Sequence, residues 1–171
     1  MAYPLFIPPE KFFSTKNFDW SLKDSKEYFN WFISTKSNRS NYYLEYLSIQ
    51  RHEIDFDILC DRIRDTLFSE EFSLKTEGGV FDLTNAGYAF AADTSIVLSD
   101  YVIDKYKGKV YWDIVKKPKS DISFHLPALF GFKKLPYVEL MKASIGHAKY
   151  ILRKKEDPHV WKMMVDLDYL F

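Results

Sequence analysis

The segment from Ala86 to Phe132 constrains the fold more than any other part of the chain, because it joins a long helical pattern to two alternating runs. At about 100° per residue, Tyr88, Ala91, Ala92, Ser95, Ile96, Leu98, Ser99, Val102, Ile103 and Tyr106 fall on one broad arc. Alanine and serine on that arc let a neighbour approach closely. Gly108 is placed to end the helix in a left-handed conformation, with Lys105 and Lys107 in the last turn favourable to its dipole. Beyond it Lys109–Val115 alternates, with Val110, Trp112 and Ile114 on one face, and Ile122, Phe124 and Leu126 alternate again. A hairpin closed by a Lys116–Ser120 turn pairs Ile114 with Ile122, Trp112 with Phe124 and Val110 with Leu126, an apolar ladder on one face. Pro118 suits the turn, and Pro127 is expected to end the second strand because it has no N–H to donate. The implied class is α+β, predominantly helical, with several helices packed on a small antiparallel hairpin or sheet.

The flanking sequence supplies the other helices. Residues 1–20 read as an irregular arm rich in proline and aromatics, strapped to the body by Phe6, Phe12, Phe13, Phe18 and Trp20. Asp24 with Glu27 makes a capping box that opens a helix to about Lys36. Its Tyr28, Phe29, Trp31, Phe32 and Ile33 are apolar around much of the circumference, as in an interior helix. A polar break at Ser37–Asn41 precedes Tyr42–Ile49, a second helical stretch or a continuation of the first. A further helix, roughly Glu53–Phe68, buries Phe56, Leu59, Cys60, Ile63 and Leu67, with an acidic stripe of Asp57, Asp61 and Asp65 on its flank and Arg62 and Arg64 nearby. A Glu77-Gly78-Gly79 turn leads to the central helix. Pro136 introduces a helix over Tyr137–Leu152, and Asp157-Pro158 starts a short one around Val160–Leu167. With 171 residues and no repeat, low-complexity tract or long linker, a single globular domain over 1–171 is expected. Such a length buries roughly 70% of the unfolded surface, and 15 Phe, 12 Tyr and 4 Trp supply the core.

Charge and motif content narrow the function. Lys and Arg total 24, as do Asp and Glu, so the chain lacks the broad positive footprint of a nucleic-acid binder. Lysines around the hairpin, and Lys142, Lys149, Arg153, Lys154 and Lys155, keep a nucleic-acid association only as an alternative. The lone Cys60 implies no disulfide, no secretion signal is evident, and no apolar run approaches the ~20 residues of a membrane span. A cytoplasmic protein without a membrane partner is expected. GxGxxG, P-loop, HExxH, GxSxG and CxxC motifs are all missing, and His52, His125, His147 and His159 are scattered. No catalytic residue, metal ligand or cofactor is therefore assigned, and the balance leans away from an enzyme.

The run Asp24–Ile33 followed by Arg39 resembles the opening helix of a group of small uncharacterised bacterial proteins. The later run Asp93–Tyr101, then Trp112, Lys117–Ser123 and Pro127–Phe132, is similar to the second half of the same group, with Val97 and Asp100 standing near positions where that group often has glycine and glutamate. The resemblance covers about two-thirds of the chain and implies a cytosolic bacterial α+β domain. It carries no established activity.

Two surface constellations remain as candidate sites. Asp93, Asp100 and Asp104 are expected to project together from the central helix, opposite its core arc, with Phe90, Val97 and Tyr101 beside them. Asp100 and Asp104 oppose the helix dipole. A partner-binding face of Asp93, Val97, Asp100, Tyr101 and Asp104 suits a non-catalytic protein-binding module, for example a bacterial immunity protein that occludes a basic toxin domain. Alternatively, the expected hairpin register sets His125 opposite Tyr111 and Asp113 opposite Ser123. That polar face of Tyr111, Asp113, Ser123 and His125 would suit a hydrolase or a small-molecule site. The sequence does not indicate an oligomeric state.

Overall fold

In the computed structural model, which describes residues 2–51, 54–154 and 160–171, the chain forms two antiparallel strand pairs around a central helix. In order, the elements are α1 (Leu22–Tyr46), α2 (Phe56–Leu67), β1 (Ser73–Lys75), β2 (Phe81–Leu83), α3 (Asn85–Lys105), β3 (Tyr111–Ile114), β4 (Pro127–Phe130), α4 (Leu140–Lys154) and α5 (Val160–Met163). The architecture is α+β and mostly helical. Among the described residues no helix is long and apolar enough to cross a membrane.

α1 starts at a capping box one turn earlier than expected. Ser21 accepts the Asp24 N–H, and the Asp24 carboxylate accepts the Ser21 N–H at 3.0 Å. Glu27 instead ion-pairs with Lys11 of the arm. The helix runs unbroken through the polar stretch 37–41, because Ser37, Asn38 and Asn41 face solvent while Ser40 is buried. α2 begins at Asp55, whose carboxylate accepts from the N–H groups of Asp57 and Ile58. Leu59, Cys60, Ile63 and Leu67 are buried as their spacing requires, and Phe56 packs edge-on against Tyr101. Glu53, the expected start, lies outside the described residues. Of the acidic stripe, Asp61 and Asp65 pair with Arg64, and Asp57 with Lys162.

The Glu77-Gly78-Gly79 turn closes a short hairpin that the sequence did not announce, with Ser73 opposite Leu83. Gly79 supplies the required left-handed residue at φ 75°. From there Thr84 caps α3 by accepting the Gly87 N–H. Gly87 sits so close to the residue that precedes β1 that a Cβ would lie 2.0 Å from the Phe72 carbonyl oxygen.

α3 departs most from expectation. Residues 89–99 are all buried, so no solvent face opposes a core arc along this stretch. Phe90 and Val97, expected at the outer edge, are 0% and 3% exposed. The helix is packed by α1 on one side and α4 on another, and the arm reaches it through Tyr3. A helix apolar or small-residued all round is an interior helix. It ends near Tyr106, and Gly108 adopts φ 78° as the sequence requires.

β3 and β4 do form a hairpin, in a different register. Tyr111 pairs with Phe130, Trp112 with Leu129, Asp113 with Ala128 and Ile114 with Pro127. Pro127 therefore opens the second strand rather than ending it, and Ile122 is exposed in the connection. The cause is local. The Asp121 carboxylate accepts the Ser123 N–H, the Phe124 N–H bonds to the Asp121 carbonyl, and His125 turns left-handed at φ 68°. Side-chain-to-backbone bonds of this kind compete with a ladder and hold the segment as turns.

The arm lies on the body, held by the buried Tyr3 and Phe12, with Phe6 packed against the core and Trp31, and with Trp20 against Phe12 and Tyr28; Phe13 and Phe18 are exposed and do not strap it. α4 begins at Leu140, where Glu139 accepts the Lys142 N–H, rather than at Tyr137. α5 falls within the expected short helix, whereas Asp157-Pro158 lies outside the described residues.

Candidate functional site

The expected acidic face of α3 divides into two environments. Asp93 is 0% exposed and belongs to the core. The Arg39 guanidinium donates to both its oxygens, Nε at 2.5 Å and Nη2 at 2.7 Å, and the Tyr3 hydroxyl donates at 2.7 Å. Burial pushes the Asp93 carboxyl up from its ordinary range, opposed by the bonds from Arg39 and Tyr3. The same guanidinium donates to the carbonyls of Pro4 and Leu5 and lies over the Phe6 ring. Asp93 is thus the anchor of a latch for the arm, not a surface contact. Val97 is likewise buried. The reason is positional: Arg39 comes from α1, 54 residues away, and supplies the charge that lets a carboxylate sit inside.

The other members converge. Val97, Asp100, Tyr101 and Asp104, at helical spacing, form one wall of a surface cleft. α1 contributes Lys36, Ser37, Ser40 and Leu44, the loop after it Arg51 and Ile54, and the β3 side Val110, Tyr111 and Trp112. Two adjoining hollows of about 190 Å³ and about 420 Å³ share Arg51, Asp100 and Asp104. The carboxylate of Asp100 is neutralised by Lys36 at 2.6 Å and Arg51 at 3.5 Å, and Arg51 also donates to the Ser40 hydroxyl at 2.5 Å. Asp104 is exposed, and its carboxylate has no ion pair or hydrogen bond among the described residues. The lining therefore carries two positive and two negative side chains, with Tyr101, Tyr111 and Trp112 between them. Tyr111 is 55% exposed. This balanced lining replaces the single-signed acidic patch expected from α3 alone.

The alternative polar face does not assemble. Tyr111 stands opposite Phe130, not His125, and Asp113 stands opposite Ala128 while pairing with Lys116. Ser123 and His125 lie buried in the turns before β4, with a His125 ring nitrogen 3.2 Å from the Asn17 carbonyl oxygen. A shift of five residues in register is odd, so it also exchanges faces.

Ser123 instead joins a network invisible to periodicity. Lys142 donates to its hydroxyl at 3.0 Å and to the Ile122 carbonyl at 2.8 Å, while the Tyr137 hydroxyl donates to Asp121. Burial pushes the Lys142 ammonium down and Glu139 up, and raises Tyr137 to about 12. A lysine on a serine is a known nucleophilic pairing. Here, however, Ser123 is only 4% exposed and Lys142 is occupied by two acceptors, so the arrangement staples the loop to α4. Among the described residues no group of three or more His, Cys, Asp or Glu is placed to hold a metal.

Compared with protein-family models, curated proteins and solved structures, the chain gives no match to any of them.

Proposed function

We propose that the chain is a protein-binding module that receives a partner segment in the cleft between α1, α3 and β3. One observation carries the reading: Asp104, an exposed carboxylate with no partner of its own among the described residues, stands in a hollow of about 420 Å³ rimmed by Arg51, Tyr111 and Trp112. Tyrosine, tryptophan and arginine are the side chains that most often dominate binding energy at interfaces. A lysine or arginine of the partner would pair with Asp104, and a carboxylate or carbonyl would meet Arg51. Asp100 would hold Lys36 and Arg51 in place. The balanced lining favours a partner segment carrying both signs over a uniformly basic one. Neutralisation of a cognate toxin by occlusion is the particular form of this reading suggested by the sequence.

Capture from native lysate with the tagged full chain tests it, with Asp104→Lys and Tyr111→Ala in parallel. A stoichiometric partner should be retained by the parent and lost by both variants at unchanged melting temperature. Loss of a hot-spot tyrosine weakens binding at least about 30-fold. A partner retained equally by both variants would move the interface elsewhere on the molecule.

A further inference from the structure

A second hollow lies away from the cleft, where the arm crosses α3 and α4. It measures about 400 Å³ and is lined by Leu5 and Ile7 of the arm, Ala92 of α3, and Met141 and Ile145 of α4. The volume falls within the range of small-molecule sites. Ala89 and Ala92 leave space on the α3 side, since each projects only a methyl group, while Asn85 and Tyr88 bound the hollow at the start of the helix. The arm wall is irregular chain, offering neither a strand edge nor a helix face to a protein partner. Leu5 and Ile7 are 44% and 60% exposed, so the hollow opens to solvent.

Charge is confined to one end. Tyr88 and Asn85, the polar members of the lining, come from the first turn of α3, whose N-terminus carries partial positive charge. The Lys149 ammonium lies 4.8 Å from the centre of the Tyr88 ring, one helical turn beyond Ile145. Lys149 pairs with Asp82 at 3.1 Å, and Arg153 reaches the other Asp82 oxygen at 3.9 Å. Two cations thus face one carboxylate, and the trio has one uncompensated positive charge beside an uncharged, apolar hollow.

From this juxtaposition we infer that the hollow binds a free single-chain carboxylate amphiphile, its hydrocarbon tail between arm, α3 and α4 and its carboxylate on Lys149. The tail gains by leaving water, and the headgroup stays at the rim where both it and the ammonium remain partly hydrated.

Calorimetric titration of the full chain with decanoate and with decanol tests the assignment. Decanoate should bind below the concentration at which it self-associates, and decanol about five-fold more weakly, the worth of one exposed charge contact. Lys149→Gln should reduce decanoate to the level of decanol and leave decanol unchanged. Ala92→Met, which puts a flexible side chain into the hollow, should abolish binding of both. Should Ala92→Met not fold, Ile145→Phe at the rim reads the same occupancy. No binding of decanoate by the parent, equal affinity for acid and alcohol, or binding indifferent to the filling variant would each overturn the assignment.

Discussion

Replacing Arg39 by alanine probes the latch that joins arm, α1 and α3. The Asp93 carboxylate is wholly buried, and both its bonds from Arg39 would vanish, leaving only the Tyr3 hydroxyl. Removing one partner of a buried ion pair costs about 3–5 kcal/mol, because the remaining charge stays in a low-dielectric interior. The carbonyls of Pro4 and Leu5 would also lose their donor, but they lie near solvent and water would replace most of that bond. A loss of about 4 kcal/mol is therefore expected at neutral pH, a large share of the 5–15 kcal/mol typical of a domain. Urea unfolding followed by tryptophan fluorescence measures it. The pH dependence supplies a second reading. Burial holds the folded Asp93 carboxyl above its unfolded value, and without Arg39 more so. A carboxyl raised in the fold loses stability as pH rises through its folded value, so the penalty should be largest at neutral pH and should shrink on acidification. Arg39→Met combined with Asp93→Leu removes both charges and should recover most of the loss. A penalty under about 1 kcal/mol, the level of a surface pair, would refute the argument. So would the same penalty at pH 5 and pH 7, or a double variant no better than Arg39→Ala.

Three further outcomes are expected. Gly131→Ala should destabilise by about 2 kcal/mol or more, since Gly131 has φ 109° and a Cβ would lie 1.8 Å from the Lys109 carbonyl oxygen; an unchanged melting temperature would remove that contact. Thr84→Ala deletes the acceptor for the Gly87 N–H and should lower stability by about 1 kcal/mol in the same unfolding assay. His147, packed against Trp161, is pushed below its ordinary value by burial. A base lowered in the fold contributes stability that is complete above the unfolded value near 6.5 and is lost as pH falls through the folded one. His147→Gln should therefore flatten the fall in urea midpoint between pH 7 and pH 5, and parallel profiles for parent and variant would discard the assignment.

The features legible in the chain are those determined within a few residues. The apolar faces of α2 and α4, the length of α3, the left-handed Gly108 and the existence of a hairpin after it follow from helical spacing, turn chemistry and alternation. The Asp55 and Thr84 caps of α2 and α3 are equally local, each a side-chain oxygen accepting an N–H two or three residues on. Where two local signals competed, the sequence alone could not rank them. Alternation at Ile122, Phe124 and Leu126 argued for a strand, while Asp121 and Ser123 were able to form the turns that displaced it.

What only the tertiary structure decided is the environment of each charge. Asp93 and Asp104 share one helix at ordinary spacing, and nothing local separates them. Arg39, Tyr3 and the arm take Asp93 inside, whereas Asp104 is exposed and meets no compensating side chain among the described residues. The cleft is similarly unreadable from sequence, because Lys36, Arg51, Asp100 and Tyr111 come from separate segments and meet only when α1 packs beside β3. Helical periodicity reports which residues share a face of one element. Which neighbour covers that face, and whether it brings a compensating charge, depends on contacts between residues far apart in the chain.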